Sequence, residues 1–358
     1  MYTDITKLRI SIDASIQDAI GQMESSRIGI VLVIDENEKL LGTITDGDLR
    51  RAFLQNTDSS ESVQILLDNK LDTDYATPLT GNINDSSQHL FDILINNNIR
   101  HLPLVDSDNK VIALATLDDW ASETVPPLQA LIMAGGRGTR LSPLTDSLPK
   151  PMLPIGDKPL MEILIEQLRE SQITKVNVSV FHEPQKITSH FGNGDEFGVD
   201  IKYVTEERPL GTAGSLKQMD TIQEPILVIN GDILTQVNFK SMADFHQDHK
   251  CEMTVAVIKS TFEVPYGVIE TTGETVNKLI EKPCIEYFIN AGIYIIEPTV
   301  LDIIPENEKC DMTDVIQSLL DQNRPIVAFP VSEYWQDIGQ PLDYEKAQEQ
   351  IKTWKNKE

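Results

Sequence analysis

Basic charge is what this chain most lacks. Its 358 residues carry 30 Lys and Arg against 56 Asp and Glu, a formal charge of −26. That balance excludes sequence-independent nucleic-acid binding, which needs a basic surface to displace counterions. It favours solubility. An anionic substrate is still admitted, provided that local Lys or Arg and a divalent metal meet it. Cysteine is sparse too. Cys251, Cys284 and Cys310 are far apart and odd in number, so neither zinc spacing nor a disulfide framework follows. Buried thiols in a reducing cytosol are expected. No apolar run nears the roughly 18 residues of a membrane span. The opening stretch, MYTDITKLRISIDASI, lacks the apolar core of a signal peptide. A cytoplasmic chain without a membrane partner is therefore expected, and its length points to two or three domains.

What is present begins at residues 131–151, LIMAGGRGTRLSPLTDSLPKP. A short apolar run, 128–133, feeds into Gly135-Gly136-Arg137-Gly138-Thr139-Arg140, and Lys150 follows between Pro149 and Pro151. Glycine has no Cβ to block a close backbone approach. Successive N–H groups in such a turn make an anion nest, and Arg140 adds a forked donor suited to phosphate. A surface turn with a basic side chain is the alternative. Spacing excludes two familiar phosphate motifs: Lys150 lies too far from the glycines for a P-loop, and Leu141 fills the third small-residue slot of a dinucleotide fingerprint.

The chain divides near Thr124-Val125-Pro126-Pro127, and the first region repeats itself. Residues 28–49, IGIVLVIDENEKLLGTITDGDL, align without a gap on 99–120, IRHLPLVDSDNKVIALATLDDW, at an offset of 71. Each copy reads as strand, Asp-rich turn, strand, Thr-x-x-Asp, helix. Segments 16–25 and 86–96 ahead of them have helical apolar spacing. This resembles a tandem pair of CBS domains over residues 1–124. The resemblance implies a regulatory or dimerisation module, hence a homo-oligomer, and an adenine nucleotide held at Thr45, Asp48, Thr116 and Asp119. A hydroxyl and a carboxylate suit a ribose diol. The same residues equally read as helix caps.

The second region, 125–358, alternates strands and helices. Apolar β-rich runs occur at 128–133, 176–180, 201–204, 226–229 and 253–258, with helical patterns at 160–170 and 213–219. Alternation of this kind predicts an α/β domain with a mostly parallel sheet covered on both faces and a ligand at the carboxyl ends of its strands. Asn230-Gly231-Asp232 ends one strand, Glu281-Lys282-Pro283 follows another, Asn290-Ala291-Gly292 opens a third, and Trp335-Gln336-Asp337-Ile338-Gly339 comes late. With Leu210-Gly211-Thr212-Ala213-Gly214 and Tyr266-Gly267-Val268, these resemble, in order, the sugar-phosphate nucleotidyltransferases. That family has a Rossmann-like mixed sheet and makes nucleoside-diphosphate sugars.

The reaction so implied is attack by a sugar 1-phosphate oxygen on the α-phosphorus of a nucleoside triphosphate, with pyrophosphate leaving. The attacking phosphate is largely ionised at neutral pH, so no general base is needed. The site must align and neutralise two polyanions. By resemblance, Ala134, Gly135, Gly136, Gly138, Thr139, Gly211 and Thr212 wrap the nucleotide. Arg140 grips the pyrophosphate, Lys150 neutralises the α-phosphate, and Asp232 and Asp337 bind Mg²⁺. Lys282, Glu281, Asn290 and Gly267 serve the sugar phosphate. His246 and His249 read as solvated surface, and Asp311 and Asp314 as a helix start.

In that family the residue five before the Gly of Leu-Gly-Thr-Ala-Gly faces the base. Here it is Glu206. An ionised carboxylate only accepts, and guanine offers N1–H and N2–H₂ side by side, so GTP is the expected nucleotide. Thymidylyl or uridylyl transfer to glucose 1-phosphate is the alternative within the class. A CBS pair ahead of such a transferase also resembles enzymes that guanylylate glucosamine 1-phosphate. Two rivals lie outside the class. A glycosyltransferase would carry Asp-x-Asp, which does not occur between 127 and 358. A non-catalytic adenine-nucleotide sensor would not need Arg140, Lys150, Asp232 and Asp337 together.

Overall fold

The computed structural model describes every residue except Asp74, Asn98, 121–127, Arg137, Thr221 and 356–358. The residues form two compact units, Met1–Thr124 and Val125–Glu358. The tetrapeptide Thr124-Val125-Pro126-Pro127 lies outside the described residues.

The internal repeat of the first unit is a structural repeat. Helices Ile16–Ser26 and Ser87–Asn96, strands Ile30–Ile34 and His101–Val105, and strands Leu40–Thr45 and Val111–Thr116 occupy equivalent places. Each copy builds a three-stranded sheet with one parallel and one antiparallel pairing. Strand residues from both copies, among them Leu32, Leu40, Val111 and Leu114, share one buried cluster. Each Thr-x-x-Asp pair forms a capping box, Thr45 with Asp48 and Thr116 with Asp119. Such boxes satisfy the orphan N–H groups of a helix start.

In the second unit, seven strands among the described residues make one mixed sheet. Their order is Asp200–Thr205, Lys175–Val180, Gln129–Met133, Ile226–Asn230, Cys284–Ile296, Met253–Glu263, Ile326–Pro330. The first four run parallel. Cys284–Ile296 is antiparallel to both neighbours, and the last pair is parallel again. Successive residues alternate between two buried clusters. Ala130 and Ile132 face one side with helices Leu160–Glu170 and Phe239–His249, while Leu131 faces the other with Met312–Asp321. A sheet covered on both faces needs apolar residues at every strand position, which is why these strands read as unbroken apolar runs.

Four expectations change. Cys251 and Cys310 are buried, but Cys284 is exposed. Residues 213–219 form only a short helical turn, Gly211–Gly214, and a 3-10 turn, Ser215–Gln218. Asn290 does not open a strand. It lies inside the long strand Cys284–Ile296, at a bulge opposite Val255 and Val257. His246 is not solvated surface but 4% exposed. It projects from the helix Phe239–His249 onto the sheet, where Thr254 Oγ1 stands 2.8 Å from Nδ1 and Glu297 Oε1 3.2 Å from Nε2. Histidine at one helical position can face the core while its neighbour His249 stays exposed. Asp311 and Asp314 do form a helix start, the capping box of Met312–Asp321.

Candidate active site

The central parallel strands deliver the site. Gln129–Met133 ends in the glycine loop and Ile226–Asn230 ends at Gly231-Asp232, side by side in register. Gly231 N–H donates to Met133 O at 2.9 Å. A Cβ on Gly231 would stand 2.9 Å from that same oxygen, so only glycine lets the two strand ends close this tightly. Asp232 then precedes the short strand Ile233–Thr235, which pairs antiparallel with Trp335–Asp337 and sets Ile233 opposite Asp337. Two carboxylates from distant parts of the chain thus meet through one strand pairing.

Lys150 lies between them. Pro149 and Pro151 flank it in a 3-10 turn, Lys150–Met152, and the side chain is buried. Its Nζ is 2.5 Å from Asp232 Oδ2 and 3.7 Å from Asp337 Oδ1. Within this trio one cation meets two anions, and Arg140 supplies a second positive charge from the same cavity lining. Burial pushes the Asp337 carboxyl above its ordinary value, and the Asp232 carboxylate pushes it further; Lys150 and Arg140 pull the other way. The Asp337 side chain is half exposed as a whole, yet its Oδ1 is buried without a hydrogen-bond partner. The atom matters more than the average here, because an orphaned carboxylate oxygen beside a second carboxylate fits a divalent cation. Among the described residues no group of three or more His, Cys, Asp or Glu could hold a metal. Two carboxylates are the set expected for Mg²⁺ that completes its shell with substrate phosphates and water.

The glycine loop closes over this trio. A cavity of about 210 Å³ is lined by Gly136, Gly138, Thr139, Arg140, Leu141, Lys150, Asp232 and Gly339. Gly138 has φ +63° and its carbonyl accepts from Thr145 Oγ1 at 2.7 Å. A Cβ there would lie 2.9 Å from the Thr145 methyl and 3.1 Å from Lys150 Cβ. A Cβ on Gly136 would meet nothing within 4 Å, so its backbone faces open space as a phosphate nest requires. Leu141, Thr145 and Gly339 also belong to the site, and nothing in their residue types distinguishes them in the sequence from packing and turn residues.

Glu206 stands at the other flank of the loop. It is buried, and a Cβ on Gly135 would be 3.7 Å from its Oε1. Ser179 Oγ donates to Oε1, and Leu210 N–H donates to Oε2 at 2.8 Å. Ala134 is buried at the loop entry, its N–H on Ser179 O. Gly211 and Thr212 have a structural task. Thr212 Oγ1 accepts from Met312 N, Thr212 N donates to Asp311 Oδ1, and a Cβ on Gly211 (φ +80°) would lie 2.5 Å from Cys310 O. These contacts lock residues 211–212 onto residues 310–312.

The four residues expected to serve the sugar phosphate lie outside the cavity lining. Gly267, Glu281, Lys282 and Asn290 are all exposed. Gly267 and Glu281 are neighbours, since a Cβ on Gly267 would meet Glu281 Oε2 at 2.9 Å. Lys282 has φ +45° in the turn that joins Thr275–Ile280 to the long strand. Asn290 Oδ1 accepts the Gly292 N–H at 2.9 Å, which aligns its amide at the bulge.

A mixed α/β sheet gathers a glycine loop, an arginine, a buried lysine and two carboxylates near its strand ends, a set of groups whose chemistry suits phosphate. The chain belongs to the Nucleotidyl transferase family, whose match spans residues 129–353, more than half of its length. CBS domain matches cover residues 4–55 and 77–123. A mannose-1-phosphate guanyltransferase of Candida albicans is 35% identical over 228 residues, 61% of this chain and 62% of that protein. The chain therefore spans less than two thirds of the length of the curated relatives it matches. HddC from Yersinia pseudotuberculosis is 26% identical with a TM-score of 0.50, over 62% of this chain and 99% of that one. A Bacillus anthracis protein solved in complex with a sucrose has the same fold, with a TM-score of 0.52 at 23% identity over 62% and 94% of the two chains.

Proposed function

We propose that this chain transfers a guanylyl group from GTP to a hexose or aminohexose 1-phosphate, giving a GDP-sugar and pyrophosphate for surface-glycan precursors. One observation carries the reading: a buried lysine held between two carboxylates at the mouth of a glycine-loop cavity. The guanyltransferase named among the relatives supports GTP and a hexose 1-phosphate.

In this reaction an oxygen of the sugar phosphate forms a bond to the α-phosphorus. The bond from that phosphorus to the bridging oxygen of the β-phosphate breaks, and pyrophosphate leaves with the electron pair. The loop N–H groups around Gly136 and Gly138 hold the triphosphate, and Arg140 draws charge from the leaving end. Lys150 bridges the two substrates at the α-phosphate, where both bring negative charge. Asp232 and Asp337 would hold Mg²⁺, which when bound supplies the neutralisation that one lysine cannot. Glu281, Lys282, Asn290 and Gly267 take the sugar and its phosphate from the exposed strand arm.

The N-terminal unit is proposed as a dimerisation and regulatory module, giving a homo-oligomer. An adenine nucleotide at its first Thr-x-x-Asp pair would have to displace Lys70, whose Nζ lies 2.5 Å from Asp48 Oδ2. The compartment we propose is the cytoplasm. Among the described residues no helix is long and apolar enough to cross a membrane.

The test offers GTP, UTP, dTTP, CTP and ATP in turn with mannose, glucosamine and glucose 1-phosphates and Mg²⁺, and measures pyrophosphate. GTP is expected to be used fastest. Faster release with UTP or dTTP overturns the guanylyl reading, and no release with any pair overturns the enzyme.

A further inference from the structure

Ser179 is a polar residue in a strand whose neighbours are apolar, and it is fully buried. A buried hydroxyl needs a partner, and this one has a partner of consequence. Ser179 lies on Lys175–Val180, in register with Met133 on one side and Val204 on the other. Its carbonyl accepts the N–H of Ala134 at 2.9 Å, one residue before the glycine loop. Its hydroxyl donates to Glu206 Oε1, just beyond the next strand. A single residue thereby ties the start of the phosphate loop to the carboxylate on its flank.

We infer that Ser179 is a positioning residue for base selection, fixing Glu206 so that its two oxygens present one open acceptor each toward the nucleotide. The inference rests on the guanylyl reading and deepens it. An ionised carboxylate offers about four lone-pair sites. Ser179 Oγ fills one on Oε1 and Leu210 N–H fills one on Oε2. One site per oxygen remains, and two parallel acceptors match the adjacent N1–H and N2–H of guanine. Both internal partners are donors and sit on different elements, so together they set the plane of the carboxylate. Gly135 keeps that flank of the carboxylate clear, because a Cβ there would stand in van der Waals contact with Oε1 at 3.7 Å and crowd Phe181 Cβ at 3.3 Å. A uracil or thymine edge would set carbonyl oxygens against the same acceptors. Without the hydroxyl, Leu210 alone holds the group and its plane is free to turn.

Ser179→Ala removes the hydroxyl and keeps the backbone contact to Ala134. The probes are GTP and inosine triphosphate, which retains N1–H and lacks the N2 amine. In the unaltered protein GTP is expected to be favoured over inosine triphosphate in kcat/KM. In Ser179→Ala the GTP KM should rise about tenfold, the value of a lost hydrogen bond to a charged group, with kcat at saturation within about twofold. The preference for GTP over inosine triphosphate should fall by about tenfold. Ser179→Thr keeps the donor and should restore the preference. If Ser179→Ala melts below the assay temperature, Ser179→Cys, a weaker donor of similar size, carries the same comparison. An unchanged ratio in Ser179→Ala, or an equal loss for both nucleotides, overturns the inference and leaves the guanylyl reading standing. An unaltered protein without a preference for GTP over UTP overturns that reading and the inference with it.

Discussion

Replacing Lys150 by alanine separates the chemistry of the site from its stability. The side chain is buried, and its Nζ neutralises Asp232 at 2.5 Å and Asp337 at 3.7 Å. At an effective dielectric of about 20, a unit pair at 3.7 Å attracts by about 4 kcal/mol. Asp337 is half exposed and Asp232 about a third, so solvent screening brings the expected stability loss to about 1–2 kcal/mol. The catalytic loss should be larger. A preorganised donor at developing charge is worth about 10²–10³ in rate, and in the proposed mechanism Lys150 serves both substrates, so kcat/KM for GTP and sugar 1-phosphate should fall at least ~10³-fold. The two carboxylates would then lack their internal cation. Mg²⁺ should therefore raise the melting temperature of Lys150→Ala by more than it raises that of the unaltered protein. Pyrophosphate release and thermal melting with and without Mg²⁺ read all three effects. Full activity in Lys150→Ala would refute the mechanism, and an identical Mg²⁺ response would refute the placement of the metal.

Further predictions address single contacts. Glu206→Gln adds an amide donor beside an acceptor, so preference should move from GTP toward UTP or dTTP by about one order of magnitude or more; competition assays with both nucleotides decide it. His246 is buried and its imidazolium is disfavoured by that burial, with Glu297 opposing only in part. Its folded pKa lies below the unfolded value, so the unfolded chain binds the proton first. Stability is complete above about pH 6.5 and is lost as pH falls below it, toward the folded value. Melting curves from about pH 8 to about pH 5 should show this slope and His246→Gln should flatten it; matching slopes would sink the assignment. Thr45→Ala removes the cap of Asp46–Leu54 and should cost about 1 kcal/mol in urea unfolding. No change would refute the capping role of this threonine.

Local pattern makes much of this molecule readable. The repeat at offset 71 appears as two matching three-stranded units because equal apolar patterns demand equal elements. Helix Leu160–Glu170 and the strand starts near Ala130, Val176 and Ile226 follow from period and β-branched content. The antiparallel strand Cys284–Ile296 is less legible. Direction in a sheet depends on connections, and a run of apolar residues looks the same read in either sense. The burial of His246 is hidden for a related reason: its polarity suits a surface, while its partners Thr254 and Glu297 come from other elements.

The sequence by itself determined which groups are available for chemistry. Gly135, Gly136, Asp232 and Asp337 stand where strands end, Arg140 and Lys150 sit in 3-10 turns, and residue type sets their charge, reach and backbone freedom. The tertiary structure alone decided what those groups face. The pairing of Ile233–Thr235 with Trp335–Asp337 brings the two carboxylates together, and the turn between two prolines carries Lys150 between them. Three adjacent strands let Ser179 hold both the loop and Glu206. The physical reason is common to all three. Charge balance and hydrogen-bond satisfaction are settled over a few ångströms, and residues tens to hundreds of positions apart come within that range only when the sheet closes.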